Sequence, residues 1–386
     1  MTESTKYNSG IYTVFLSAFL VLFQLGIYFV YIPWNAERLQ ITEAEIGIGL
    51  LVFGISNLIG NQTSGRFVVP KIGTKNSIVI GLIGIAYCPL LLILSPNYLW
   101  FLLAFIPFGF CVGLFSPSAQ SQISMIEQKT SKIITPLYHA AFSFGSLVGA
   151  ISAFFTIKYI ESVSLIFSIT GSMLVLGAVI VFKFGLSKTF EDLKKTPRFK
   201  FPKKLILIFG FLMMMNYATM GIILDWSALW LTKDLLVPLY LGGAVIVAFN
   251  VGEISARLTA SKMINKYSEK LVGGYLSIIA GIILFLSILT SNFYVIIFGM
   301  ILFGFGTANF VAIILRQAIR VTDEPISLTV ANLITMGFAG FIFGPALVGY
   351  LAEYIGLTFN MYLLSLVWGL NGLALLVMMK RIKSVG

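Results

Sequence analysis

The chain has 386 residues, of which 58% are hydrophobic and 11% charged, and its mean hydropathy is +0.96. A water-soluble fold of this length needs far more polar surface, so composition excludes an ordinary soluble globule and points to a polytopic membrane protein. The formal net charge of +11 invites a nucleic-acid reading, which the positions of the basic residues remove.

Crossing a bilayer takes about 20 mostly apolar residues. Twelve stretches meet that length: 11–33, 45–66, 77–95, 98–120, 135–157, 163–183, 204–232, 239–259, 271–289, 293–315, 326–350 and 358–380. Helices follow from these lengths and from the need to satisfy backbone hydrogen bonds within each segment. The polar start MTESTKYNSG leads into a run too long for a signal peptide and without a small-residue cleavage pattern, so it reads as the first span. Short loops favour antiparallel neighbours. The longest polar interval, KFGLSKTFEDLKKTPRFKFPKK at 183–204, splits the spans into two sets of six. The expected organisation is an amino-terminal bundle over 1–183, a central loop over 184–203 and a carboxy-terminal bundle over 204–386.

With the amino terminus placed in the cytoplasm, all of the 26 Lys and Arg residues except Arg38, Lys158 and Lys233 fall on the cytoplasmic side. Both termini are then cytoplasmic, and the basic excess is topology; no nucleic-acid partner is expected. The central loop's basic residues suit anionic lipid headgroups.

The halves repeat. SGRFVVPKIGTKNS (64–77) after the second span matches SARLTASKMINKYSEK (255–270) after the eighth. PFGFCVG (107–113) parallels LFGFGTA (302–308), and Gly145-x-x-x-Gly149 parallels Gly340-x-x-x-Gly344, both at an offset of 195. Duplication of this kind marks transporter folds whose site lies between the repeats.

Twelve spans, a central basic loop and a glycine/basic loop repeated after spans two and eight resemble the major facilitator superfamily (MFS). The resemblance implies an all-α membrane protein with twelve transmembrane helices in two pseudo-symmetric six-helix bundles, working by alternating access. The loop departs from the family pattern: Pro70-Lys71-Ile72-Gly73-Thr74-Lys75 has Pro70 where an acid is expected, so the acid's gating role does not carry over. DWSALWL (225–231) is similar to the Asp-Trp-Ser-Ala-Leu-Tyr-Leu signature of a bacterial branch of that superfamily, with Trp230 in place of Tyr. LYHAAFSFGSLVGA (137–150) and ANLITMGFAGFIFGPALVGYLAEYIGL (331–357) resemble the same branch's fifth and eleventh spans. The family's antiporter signature ends in Gly-Pro in the fifth span; here Gly344-Pro345 stands in the eleventh, which disfavours a drug/proton antiporter.

Asp225 is the first candidate for function. An intramembrane carboxylate costs about 2.5–3.5 kcal/mol on insertion scales at a helix centre, and such groups face a bundle interior or water. Two roles stay open: proton coupling or solute contact, and a structural hydrogen bond at an outer gate. Glu253 and Arg257, at i,i+4 spacing near the cytoplasmic end of the eighth span, read as an inner-gate ion pair or as a proton site that acts when the pair opens. His139 at the start of the fifth span is a proton relay or a packing residue.

Among neutral groups Gln24, Asn216, Asn250, Asn309 and Asn332 lie on spans that the resemblance implies line the cavity; amides also glue helices together. Trp226 suits stacking on a ligand ring, and Trp34 an interfacial anchor. Cys88 and Cys111 lie in apolar segments and His139 has no second His or Cys near it in sequence, so no metal site is expected. No GxxxxGK[ST] run or nucleophile motif occurs, so neither enzyme activity nor a cofactor is expected. The sequence therefore reads as a monomeric secondary transporter for a small polar solute. It is expected in the bacterial inner membrane, proton-coupled and importing. A proton-driven exporter of an amphipathic compound and a non-transporting sensor or assembly partner are the alternatives.

Overall fold

The computed structural model describes residues 3–130, 134–188, 203–322 and 326–383. Most of the expected central loop (189–202) and Lys132 lie outside the described residues. Every regular element among the described residues is helical. They are α1 (Glu3–Leu39), α2 (Glu43–Thr63), α3 (Val69–Ala86), α4 (Cys88–Leu94), α5 (Tyr98–Thr130), α6 (Thr135–Tyr159), α7 (Val163–Phe184), α8 (Lys204–Leu229), α9 (Ala244–Tyr267), α10 (Leu276–Leu289), α11 (Phe293–Thr307), α12 (Phe310–Arg320), α13 (Ile326–Ile355) and α14 (Leu357–Lys383).

Eleven runs among the described residues are long and apolar enough to cross a membrane, and one of them, Glu43–Leu94, is 52 residues long. That run breaks at Gly73, whose φ of 82° and ψ of 167° lie outside the helical region. Only glycine takes this conformation without strain. Divided there, the run supplies the second and third expected spans. The tenth span is also broken, at Ala308–Asn309 between α11 and α12; Asn309 has φ −99° and ψ 0°, a conformation suited to a side chain that competes for backbone bonds. Rows of exposed apolar side chains, such as Leu99, Phe298 and Leu370 at 62, 62 and 63% exposure, form the surface that lipid requires.

Local chemistry sets the helix ends. The sequence Thr42-Glu-Ala-Glu45 forms a capping box: the Thr42 hydroxyl accepts from the Glu45 N–H at 3.3 Å, and the Glu45 carboxylate accepts from the Thr42 N–H at 2.8 Å. Asn292 caps α11 in the same sense, accepting from the Tyr294 and Val295 N–H groups.

The chain divides into two compact units, Met1–Lys195 with Leu239–Gly243, and Thr196–Pro238 with Ala244–Gly386. In unit 1, α1 packs against α6 and α7, α2 against α5, and α3 against α5 and α7. In unit 2, α8 packs against α13, α9 against α11, and α10 against α11 and α14. The sequence repeat reappears as a repeated contact inside each unit. Gly145 of α6 lies against the Phe19 carbonyl of α1, and Gly340 of α13 lies against the Met214 carbonyl of α8. Both partners of the second pair stand 195 residues after those of the first. At each site a methyl group would collide with a carbonyl oxygen, so glycine is what lets the two backbones touch.

Gly145→Val and Gly340→Val are each expected to destabilise the purified protein by about 1–3 kcal/mol or more through overpacking. A thermal melt in detergent reads this, and unchanged melting would contradict the backbone contact.

Candidate functional site

The segment GIILDWSALWL is buried along its whole length. Ala218, Gly221 and Asp225 recur at spacings of three and four, which places them on one stripe of α8. Gly344 packs against Ala218 and Pro345 against Gly221, so this stripe faces α13. Asp225 continues it one turn further on. The residue is 7% exposed, and no hydrogen bond or ion pair among the described residues reaches its carboxylate.

The tryptophans beside it are fastened. The Trp226 indole donates to the Pro345 carbonyl at 3.0 Å, joining α8 to α13. One turn on, the Trp230 indole donates to the Thr358 hydroxyl at 2.9 Å. Thr358 in turn donates through its hydroxyl to Asp234 at 2.8 Å and through its backbone N–H at 2.7 Å. Asp234 therefore supplies, from the end of the α8 segment, the acceptor that the first turn of α14 needs. Trp226, expected as a ring for a ligand to stack on, is fully enclosed here with its N–H committed to the protein. Its role is to brace the wall that carries Asp225.

A second polar group gathers on α9. Asn250, Glu253 and Arg257 fall at i, i+3 and i+7, on one face of the helix. The Arg257 guanidinium meets the Glu253 carboxylate at 2.8 Å; the Glu253 side chain is 3% exposed and that of Arg257 20%. Asn250 donates to the Ile246 carbonyl at 2.8 Å. Asn309, freed from helical geometry by the break before α12, donates to the Ala256 carbonyl at 3.2 Å, next in sequence to Arg257. Four of the expected residues, Asn250, Glu253, Arg257 and Asn309, are thus neighbours. No bond connects them to Asp225.

The remaining candidates are scattered. Gln24 donates through Nε2 to the Ala86 carbonyl at 2.7 Å and to the Thr170 hydroxyl at 3.3 Å, inside unit 1, tying α1 to α3 and α7, while its Oε1 has no partner among the described residues. His139 is exposed near the start of α6, against the Tyr138 and Phe142 rings at 5.3 and 6.3 Å. Asn216 and Asn332 are buried, with Oδ1 of the first and Nδ2 of the second unpartnered among the described residues. No group of three His, Cys, Asp or Glu residues among the described residues has the arrangement of a metal site.

Sequence reasoning missed a further cluster. Glu269 receives Arg316 at 3.1 Å, Arg320 at 2.7 Å and the Gln317 amide. Its counterpart in unit 1 is neutral: Gln122 donates to the Thr74 hydroxyl at 3.0 Å. Both members of this pair precede Gln317 and Glu269 by 195 residues. The repeat offset, applied to glutamines as well as glycines, was the signal available.

A family model described as Major Facilitator Superfamily matches residues 14–214, just over half of the chain, and the chain belongs to that family. An uncharacterised MFS-type transporter of Yersinia pestis is 28% identical over 334 residues, which cover 85% of each chain. The membrane protein MosC of Rhizobium meliloti is 24% identical over 332 residues, covering 84% of this chain and 79% of that protein. Among solved structures, a bacterial homologue of the human lysosomal transporter Spinster, inward-facing and unoccupied, superposes with a TM-score of 0.75 at 12% identity over 98% of both chains. The nucleoside transporter NupG gives 0.71 at 14% identity over 96% of this chain and 99% of its own. At such identities these structures speak to fold. The protein is a multi-pass membrane transporter of the superfamily, a class that takes small-molecule solutes, and not an enzyme.

Two stability measurements follow from the contacts. Thr358→Val removes the hydroxyl shared by Trp230 and Asp234 and is expected to cost about 1–2 kcal/mol. Trp230→Phe added to it costs less than Trp230→Phe alone, because the bond is already gone; full additivity in thermal melts would contradict the relay. Arg257→Gln is expected to destabilise more than Glu253→Gln, since it removes the direct counter-charge of the more deeply buried group. The reverse order would show that the pair is not held as described.

Proposed function

We propose that this member of the superfamily is a proton-coupled secondary transporter that imports a small polar organic solute by alternating access. The observation that carries the proposal is Asp225: a buried carboxylate, followed by two tryptophans fastened to neighbouring helices, with no partner among the described residues. A buried charge without a counter-charge is costly. A proton can offset that cost, and a group that must gain and lose a proton as its surroundings change is what coupling requires. If Asp225 were only a structural acceptor, a donor should sit on it.

In this reading the solute is recognised by the α9 group. Arg257 and Glu253 offer charge, Asn250 and Asn309 offer amide donors and acceptors, and Asn332 adds a buried amide with its Nδ2 unpartnered. Glu253 also serves as a second proton-responsive site when its pair with Arg257 opens, and His139 relays protons at the entrance to α6. The excess of Lys and Arg in one set of loops supports cytoplasmic termini, and the bacterial relatives support a bacterial inner membrane. The protein acts as a monomer among membrane lipids. An exporter of amphipathic compounds is the second reading, favoured by an aromatic content of 14%.

The test uses proteoliposomes and a labelled compound chosen by thermal stabilisation of the purified protein, from a panel that includes nucleosides, the solute named for one of the similar structures. Wild-type protein is expected to accumulate the compound when the outside is acidified, and a protonophore abolishes accumulation. Asp225→Asn loses accumulation but retains counterflow exchange, since exchange needs no net proton cycle. Loss of both activities in a folded variant would place Asp225 in the gate, and accumulation at wild-type level would remove it from coupling. Solute leaving against an inward proton gradient would favour the exporter.

A further inference from the structure

Gly73 ends one helical piece of α3 and begins another, and a helix that stops leaves its last carbonyls short of backbone donors. Side chains meet three carbonyls at this break. Asn76 donates its amide to the Ile72 carbonyl at 3.0 Å. The Pro70 and Lys71 carbonyls are met from far along the chain: the Lys188 ammonium donates to both, at 2.9 and 2.8 Å. An ammonium carries three donors, so one cation answers two carbonyls, and its charge suits the negative end of the helix it closes. Pro70 has no side-chain charge to offer, and its carbonyl serves as the acceptor. Lys188 stands 118 residues after Pro70, where the central loop begins.

The residues before Lys188 bring it there. α7 ends at Phe184, and Gly185 leads the chain out of the helix with φ −68° and ψ 160°. At the 195-residue offset the other half makes no such exit: α14 stays helical to Lys383. The departing segment is fastened along its length. Lys75 donates to the Phe182 carbonyl at 3.2 Å, its ammonium 5.2 Å from the centre of the Phe182 ring. Ser9 of α1 donates to the Phe184 carbonyl at 2.6 Å. Leu186 is 3% exposed and lies against Gly10 of α1. Gln122 of α5 donates to the Thr74 hydroxyl at 3.0 Å and to the Leu186 carbonyl at 3.5 Å, so one buried amide holds both the far side of the Gly73 break and the segment after α7. The anchors differ in kind. Leu186 and Gln122 are buried, whereas Lys188, Pro70 and Lys71 are exposed. Water can therefore replace the outermost bonds while the packed ones stay.

We infer that residues 185–188 are a strap across one end of unit 1 and that Lys188 is its releasable latch. Closed, the latch holds the Gly73 hinge between the second and third spans. Released, it frees that hinge while Leu186 keeps the strap seated. The start of the central loop is thereby tied to the one break in the Glu43–Leu94 run that has positive φ. The latch uses none of the residues assigned to proton coupling or solute contact above, so it and the transport reading stand or fall separately.

Hydrogen exchange of the full-length protein in lipid nanodiscs, read by mass spectrometry over peptides spanning 70–77, tests the latch. Lys188→Met keeps the length of the side chain and removes its donors. The amides of 73–76 are then expected to exchange about three- to tenfold faster, with α5 and α7 unchanged because the buried anchors remain. Lys71→Met is expected to exchange as wild type does, since Lys71 gives the latch only its backbone carbonyl. Wild-type exchange over 73–76 in Lys188→Met would overturn the inference. So would an equal acceleration in Lys71→Met, which would trace the effect to the density of positive charge. Acceleration throughout unit 1 in Lys188→Met would also overturn it, by making Lys188 part of the general packing.

Discussion

Hydrocarbon offers no hydrogen bonds, so every polar group inside a membrane protein must be answered from within the protein, by bound water or by a proton. Most of this chain obeys that demand through its own side chains. Ser64, Ser77 and Ser118 bond to one another and to the Leu114 carbonyl, Gln24 reaches two neighbouring helices, and Arg257 answers Glu253. Against that background Asp225, on the same stripe of α8 as the glycine-proline contacts with α13, is a buried carboxylate that no hydrogen bond or ion pair among the described residues answers.

The surroundings of that exception are rigid. Trp226 and Trp230 bind α13 and α14 through hydrogen bonds of 3.0 and 2.9 Å, and Asp234 secures the first turn of α14. Asp225 is therefore held on a fixed wall of unit 2, not on a loose end of α8. Under the proposed coupling role, that setting would let the surroundings of Asp225 change between transporter states while its position in unit 2 stays set by the helices it is fastened to.

The twelve spans and the internal repeat were legible in the sequence because span length and a constant offset are one-dimensional signals. Asp225 stood out for the same reason, as a charge in an apolar run. Partnerships across helices were not legible. Trp226 looked like a stacking ring because its chain neighbours are apolar, yet its N–H is claimed by Pro345, 119 residues away. Gln24 looked like a solute contact because its span lines the cavity in the family, but helix rotation, which no local pattern reports here, turns it toward Ala86 and Thr170. Glu269 drew no notice in the sequence because its partners Arg316 and Arg320 lie 47 and 51 residues on. The long Glu43–Leu94 run shows the opposite case, in which one glycine already present in the loop motif marks where two spans divide.

The most direct measurement is the proton stoichiometry of solute binding to purified protein in weakly buffered solution, for wild type and for Asp225→Asn. If Asp225 is the proton-exchanging group, the wild-type protein takes up or releases protons as solute binds, and the variant binds with that proton exchange abolished. An unchanged proton stoichiometry in a variant that still binds solute would contradict it.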